Sequence, residues 1–325
     1  MHDLTINEFI ERKNKAEEHE EYKYLDLAED ILTTGILKKD RTGTGTYSLF
    51  DRHLKFDLRK GFPALTTKKL YFKTMVTELI WFLGNHMQLE EYKPFGRTNI
   101  KYLVDHGCNI WNDWPHKWFC ENVEVISKEE FKSRIKTYDN FAMEYGNLGP
   151  VYGKQWRDWD GIDQIQVMID TLKNNPDSRR NMVSAWNVGE LEEMSKAGLP
   201  PCHFGFQAYS REDSEGLRHL SIKFNMRSTD VGAGLPFNIA SYGVLTHMIA
   251  QVTGHHVDTL SCSLGDVHIY LNHMDQMKEQ LLRTPYKFPE LWINPDVIDI
   301  NQFQREDIKL IDYQHHPAIY LPIAV

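Results

Sequence analysis

Apolar side chains recur along this chain with two different periods, and the periods place its main elements. Tyr24, Leu27, Ala28 and Ile31 repeat every three or four residues, which predicts an amphipathic helix stopped by Gly35. Phe72, Met75, Val76, Leu79, Ile80 and Leu83 predict a core helix on the same grounds. Ile162, Ile165, Ile169 and Leu172 predict another, ended by the turn Asn174-Asn175-Pro176-Asp177. Residues 239–253 are apolar on nearly every side and end at Gly254, the pattern of a buried helix. By contrast, Leu220, Ile222, Phe224 and Met226 alternate with Ser221, Lys223, Asn225 and Arg227, a period-2 strand with one polar face. A Thr/Gly segment, residues 40–46, leads into a second alternating stretch.

Two charged regions interrupt this pattern. Residues 1–21, with the run Glu17-Glu18-His19-Glu20-Glu21, read as a solvated N-terminal extension. Residues 115–145 mix Lys128, Glu129, Glu130, Lys132, Arg134 and Lys136 and read as a peripheral insertion. With no internal repeat and no Pro/Gly linker, residues 22–325 are expected to form one α+β catalytic domain.

Composition narrows the function. The chain has 325 residues, 41% of them apolar and 26% charged, which is ordinary globular composition. No run of 18 apolar residues occurs and no signal-peptide pattern opens the chain, so a soluble, cytoplasmic protein is expected without a membrane partner. A net charge of −9 argues against nucleic acid as the main partner, because phosphate contacts need a basic surface. A local cluster of arginines can still serve a small anion. Cys108, Cys120, Cys202 and Cys262 form no C-x-x-C pair, and none of the 15 histidines stands in H-x-x-x-H spacing with a carboxylate partner, so no metal site is expected.

The candidate chemistry centres on Pro200-Pro201-Cys202-His203. Two prolines hold the chain extended before a cysteine, and a thiol becomes a nucleophile when neighbouring positive charge lowers its pKa. Arg41, Arg179, Arg180 and Arg227 are candidates for that charge; a buried, inert cysteine is the competing reading. Arg179-Arg180 and Arg227-Ser228 also suit a phosphate dianion, although solvated arginines look the same in sequence. There is no Walker motif and no G-x-G-x-x-G, so side chains would have to hold a nucleotide. The Asn238 carboxamide matches a uracil edge or caps a helix. His268 and Tyr270, two apart on an extended segment, would face one sugar hydroxyl or act as satisfied core polar groups. Glu78 lies off the apolar stripe of its helix and by pattern alone reads as a surface residue.

Eight strings occur in one order: Asp40-Arg41-Thr42-Gly43-Thr44-Gly45, Leu65-Thr66-Thr67-Lys68-Lys69, Glu78-Leu79-Ile80-Trp81-Phe82, Gly149-Pro150-Val151-Tyr152-Gly153, Asp177-Ser178-Arg179-Arg180, Leu199-Pro200-Pro201-Cys202-His203, Gly234-Leu235-Pro236-Phe237-Asn238 and Gly265-Asp266-Val267-His268-Ile269-Tyr270. Together they resemble the folate-dependent thymidylate synthase family from about residue 22 to the C-terminus. The resemblance implies a mixed sheet flanked by helices and a homodimer packed sheet to sheet, with active sites shared between subunits. It implies dUMP as substrate and 5,10-methylenetetrahydrofolate as co-substrate. Cys202 would add to C6 of the pyrimidine, Glu78 would organise proton transfers around O4, and Tyr152 would help remove the C5 proton. Arg41, Arg227 and Ser228 would grip the 5′-phosphate, with Arg179 and Arg180 arriving from the other subunit. Asn238 would read the uracil edge, and His268 with Tyr270 the 3′-hydroxyl. Lys68 would meet the folate's glutamate tail, Asp230 would bond the pterin and also serve the catalytic and nucleotide sets, and Trp111 would wall the one-carbon unit. Leu199 and Val325 would shield the hydride step, Val325 as a closing lid.

Some positions depart from the family's usual pattern. The strand ends Asn225-Met226-Arg227-Ser228, Gly232-Ala233 replace a bulky pair, Gly205 and Ala208 are small, and about ten residues near 88–97 are additional. Room beside Ala233 could admit water, so 5-hydroxymethylation of dUMP is the alternative to methylation. Trp111, Leu199, Tyr152 and Val325, all present, favour hydride. RNA binding, known among relatives, is not expected of an acidic chain with an intact cysteine and arginine set.

Overall fold

The computed structural model describes residues 19–40, 42–196 and 200–322. Strands β1 (Ile36–Lys38), β2 (Thr46–Asp57), β3 (Met182–Ser184), β4 (His203–Glu212), β5 (Arg218–Asp230) and β6 (His256–Tyr270) form one sheet in the order β1-β2-β6-β5-β4-β3. Only β5 and β6 run parallel; every other neighbouring pair in this sheet is antiparallel. A short antiparallel pair, β7 (Glu290–Ile293) and β8 (Ile308–Ile311), stands apart. The chain is thus a single α+β domain with a mixed sheet flanked by helices.

Sheet register follows the period-2 pattern. Leu220, Ile222, Phe224 and Met226 are buried on one face, level with Leu260, Cys262 and Leu264 of β6 and Phe206 and Ala208 of β4. The opposite face presents Lys55, Tyr209, Lys223 and Arg227 to solvent.

Helix α1 (Tyr22–Thr34) packs on the buried face along β2 and β6. It stops at Gly35 through close approach: the backbone there is extended, and a side chain would run into the Ile31 carbonyl. Helix α2 (Phe72–Leu83) is buried from Met75 to Leu83 on all sides and ends at Gly84, which adopts φ 72°. The short α3 (Lys101–Asp105) leads to α4 (Asp113–Asn122), α5 (Lys128–Thr137) and α6 (Asp139–Tyr145). These last three share an aromatic cluster of Phe119, Phe131, Phe141 and Tyr145.

After α7 (Tyr152–Arg157), helix α8 (Gln164–Asn174) starts later than its apolar spacing suggests. Asp163 caps it by accepting from the Gln166 N–H, and Ile162 stays outside, bridged to Trp159 and exposed. Beyond α9 (Leu191–Lys196) and the strands comes α10 (Gly234–Thr253), the crossover that parallel β5 and β6 require. Sheet on one side and α2 with α8 on the other explain why it is apolar all round. It begins five residues before the predicted start. Helix α11 (Met274–Leu281) follows β6, and the chain then returns across the Thr66-Thr67 turn, where the His316 N–H donates to the Thr66 carbonyl at 2.8 Å.

One expectation is overturned near the N-terminus. Glu21 belongs to no solvated run: it is fully buried, and its carboxylate accepts from the backbone N–H and the hydroxyl of both Thr66 and Thr67 at 2.6–2.9 Å. Four donors are what make the burial of a charge tolerable.

Candidate active site

The sulfur side is built by backbone. The Cys202 N–H donates to the Tyr152 hydroxyl at 2.9 Å, and its carbonyl accepts from the Arg227 N–H at 2.9 Å. The prolines give Arg227 two acceptors: its Nε and Nη2 donate to the carbonyls of Pro201 and Pro200 at 2.8 and 2.7 Å. The guanidinium, 5.5 Å above the Trp186 ring, is thereby fixed next to the cysteine with its remaining donors uncommitted to those carbonyls. His203 cannot supply that charge. Burial lowers its pKa to about 3, its ring stacks on Tyr152 at 4.0 Å, and its Nδ1 lies 2.8 Å from the Tyr242 hydroxyl.

Facing this is a carboxylate on an aromatic wall. Glu78 is 8% exposed, so the surface reading of it is wrong: α2 has hardly any solvent side for it to occupy. Its Oε1 accepts from the Trp111 indole N–H at 2.7 Å. Burial raises its pKa to about 7, the single hydrogen bond opposing that rise. The Trp111 ring lies 5.6–5.9 Å from Trp81, Phe82 and Tyr152, and Phe82 lies 4.8 Å from Tyr152, so Glu78 and Cys202 border one continuous aromatic surface. Burial pushes the Tyr152 phenol well above its ordinary value, which keeps it protonated.

The third part is the turn between β5 and α10. Asp230 Oδ1 accepts from the N–H groups of Gly232 and Ala233 at 2.9 and 3.1 Å. Lys68, lowered by burial to about 8, donates its ammonium to the Gly232 carbonyl. Asn238 sits within α10, whose N-cap is Ala233, so the capping alternative for its carboxamide fails. That carboxamide is half-buried and has no hydrogen-bond partner among the described residues. His268 and Tyr270 do share a face of β6, their rings 5.3 Å apart, and His268 Nδ1 lies 3.3 Å from Asp266. The hydrogen bond from His268, with those from Lys38 and Ser48, holds Asp266 well below the usual carboxylate range. Ser228 stands level with Asp266 across the β5–β6 pair.

The fold therefore gathers Cys202, Tyr152, Arg227, Glu78 and Trp111 in one region and Lys68, Asp230, His268 and Tyr270 in another, with β5 carrying Arg227, Ser228 and Asp230 between them. Arg179 and Arg180 are not gathered: they are exposed beyond the edge strand β3 and form no ion pair among the described residues. Arg41, Leu199 and Val325 lie outside the described residues. Pattern reading gave no role to Phe82, which stands inside a quoted motif, to Trp186, or to His273, three residues past Tyr270. All four cysteines are free thiols, and among the described residues no three His, Cys, Asp or Glu side chains gather as a metal site would need. No described helix is long and apolar enough to cross a membrane.

Comparison with known proteins shows the family. The family model described as thymidylate synthase matches residues 22–325. A thymidylate synthase from Mycoplasma mobile is 47% identical over 305 residues, covering 93% of this chain and 99% of that protein. With a match of that extent, the chain belongs to the thymidylate synthase family.

Proposed function

We infer that the groups around Cys202 perform the family's reaction, the reductive methylation of dUMP to dTMP. The chain is a methyltransferase, and 5,10-methylenetetrahydrofolate, its co-substrate, supplies the one-carbon unit and the hydride and leaves as dihydrofolate. The observation that carries the site assignment is the anchoring of the Arg227 guanidinium to the Pro200 and Pro201 carbonyls, with the Arg227 N–H on the Cys202 carbonyl, which holds a cation on the two residues that precede the half-buried Cys202 in the chain.

In this reading, the Cys202 thiolate adds to C6, and C5 of the uracil becomes nucleophilic. Charge then develops at O4. Asn238, whose carboxamide is uncommitted, offers donors to the ring edge, and Glu78, titrating near neutrality, can take up and return a proton there. Tyr152 stays protonated, so it serves as a donor that holds the water receiving the C5 proton and does not act as the base itself. Trp111 and Phe82 exclude solvent from the hydride step. The flat wall, the outer oxygen of Asp230 and the cationic Lys68 fit a planar, amide-edged heterocycle with an anionic tail. Lys68 reaches that tail by exchanging the Gly232 carbonyl for a carboxylate.

Arg227, Ser228 and Arg41 would hold the 5′-phosphate, and His268 with Tyr270 the 3′-hydroxyl. Arg179 and Arg180, exposed and without an ion pair among the described residues, would complete the phosphate site of a second subunit. The polar sheet face around Lys223 and Tyr209 would be the surface that joins two cytoplasmic copies sheet to sheet. Hydroxymethylation is the disfavoured alternative. The relative matched over nearly its whole length is a thymidylate synthase.

Incubation with dUMP and methylenetetrahydrofolate should yield dTMP and dihydrofolate in equal amounts by chromatography. Cys202→Ser should lower turnover by at least about 10⁴-fold with dUMP binding retained. In the unsubstituted protein, 5-fluoro-dUMP with the folate should leave a covalent adduct on Cys202 by mass spectrometry; an unlabelled Cys202 would remove it from the mechanism.

A further inference from the structure

His273, just before α11, is a fully buried histidine that the reaction above does not use. Its Nε2 lies 2.7 Å from the carbonyl oxygen of Pro322. A carbonyl can only accept, so Nε2 carries a hydrogen and donates it. The other ring nitrogen, Nδ1, is buried, has no hydrogen-bond partner among the described residues, and lies 4.0 Å from Asp230 Oδ1. The ring also packs 5.6 Å from Tyr270, and a side chain at Gly232 would meet Nδ1 at 3.1 Å and Leu321 at 3.5 Å. The imidazole and the C-terminal segment thus pack closely on the Asp230 turn.

The turn itself is tied from three other directions. Asp230 accepts from Gly232 and Ala233, Lys68 donates to the Gly232 carbonyl, and the Tyr24 hydroxyl donates to the Val231 carbonyl at 2.9 Å. The C-terminal segment has an upstream anchor too: Arg283 Nη1 donates to the carbonyls of Thr67 and Pro317 at 2.8 and 2.7 Å. From Pro317 to Pro322 the segment crosses a span whose far end is held by His273.

We propose that His273 is a positioning residue for the folate half of the site, holding the C-terminal segment at Pro322 packed against the turn that carries Asp230. This rests on the assignment of Asp230 to the pterin. The imidazole acts through the segment it holds, so its loss should weaken folate capture far more than nucleotide binding, although Tyr270 packs against the same ring.

The test is steady-state kinetics on the full chain, varying each substrate at saturation of the other. His273→Ala should raise KM for methylenetetrahydrofolate at least about fivefold while KM for dUMP stays within about twofold. His273→Gln, whose amide can donate to the Pro322 carbonyl, should recover most of the loss. A folate KM within about twofold of the parent overturns the proposal, as does an equal rise for dUMP or a His273→Gln as impaired as His273→Ala. Should His273→Ala fail to fold, His273→Asn, too short to reach the Pro322 carbonyl, takes its place under the same figures. Asp230→Ala separates the two levels. An unchanged folate KM there defeats the pterin assignment itself, whereas a raised one beside a parent-like His273→Ala removes His273 alone.

Discussion

Two buried glutamates, in two regions of the molecule, show how differently the fold can treat the same side chain. Glu21, ahead of α1, is met by four donors from Thr66 and Thr67, and the turn before Lys68 is thereby pinned to the first helix. Glu78, in α2, is met by one donor, the Trp111 indole, and burial lifts its pKa to about 7. A carboxylate saturated with hydrogen bonds is a structural fixture. One with a single donor keeps an oxygen free and titrates where a proton can be exchanged at neutral pH. The difference between the two environments separates scaffold from chemistry.

The contrast fails first if Glu21 is dispensable. Glu21→Ala leaves four buried donors without acceptors and should cost about 4 kcal/mol of stability, read from the denaturant midpoint. A loss below about 1 kcal/mol would mean that water replaces the carboxylate and that the site is not structural.

Glu78→Gln should behave in the opposite way, with turnover falling about a hundredfold and the fold intact. Its effect on stability has a definite sign. The folded pKa lies above the unfolded one, so the protonated carboxyl is the form that folding favours. The parent therefore loses stability as pH rises from about 4.5 through about 7. Glutamine removes that loss, and the variant should gain on the parent by at most about 3 kcal/mol between pH 4.5 and 8. Parallel pH–stability curves for the two proteins would refute the raised pKa.

The smallest expected effect sharpens the comparison. Trp111→Phe removes the one hydrogen bond that favours ionised Glu78, so the pKa should move further up. The midpoint of the rising limb of the pH–rate profile should follow by about half a unit to one unit. A midpoint that stays put would show that this limb reports another group.

The elements best read from sequence were those with one buried and one solvent face. The α1 and β5 patterns gave both type and orientation, because each buries one regular set of positions, whereas the α2 pattern gave the type alone. Boundaries were read less well. The start of α8 is decided by the Asp163 cap and that of α10 by the hydrogen bonds of Asp230 to Gly232 and Ala233, neither of which has a hydrophobic period. In the site, Pro200-Pro201-Cys202 and the arginines were legible as chemistry because their types are rare in such combinations. Glu21 and Glu78 were misread for different reasons. Glu21 stands beside other charges in sequence but meets Thr66 and Thr67 only in space, and the helical spacing around Glu78 reports a solvent side only when one exists, which α2 lacks.

By itself, then, the sequence determined the α+β class, the main helices, the nucleophile candidate and, through its ordered motifs, the family. Tertiary structure decided which charges are buried. It made His203 neutral, raised Glu78 towards neutrality, gave Glu21 its four donors and placed His273 between Asp230 and Pro322. The physical reason is that a titratable group's state depends on the dielectric and the donors around it in space. Those are supplied by segments remote along the chain, as Trp111 supplies the donor to Glu78, and no local pattern records them.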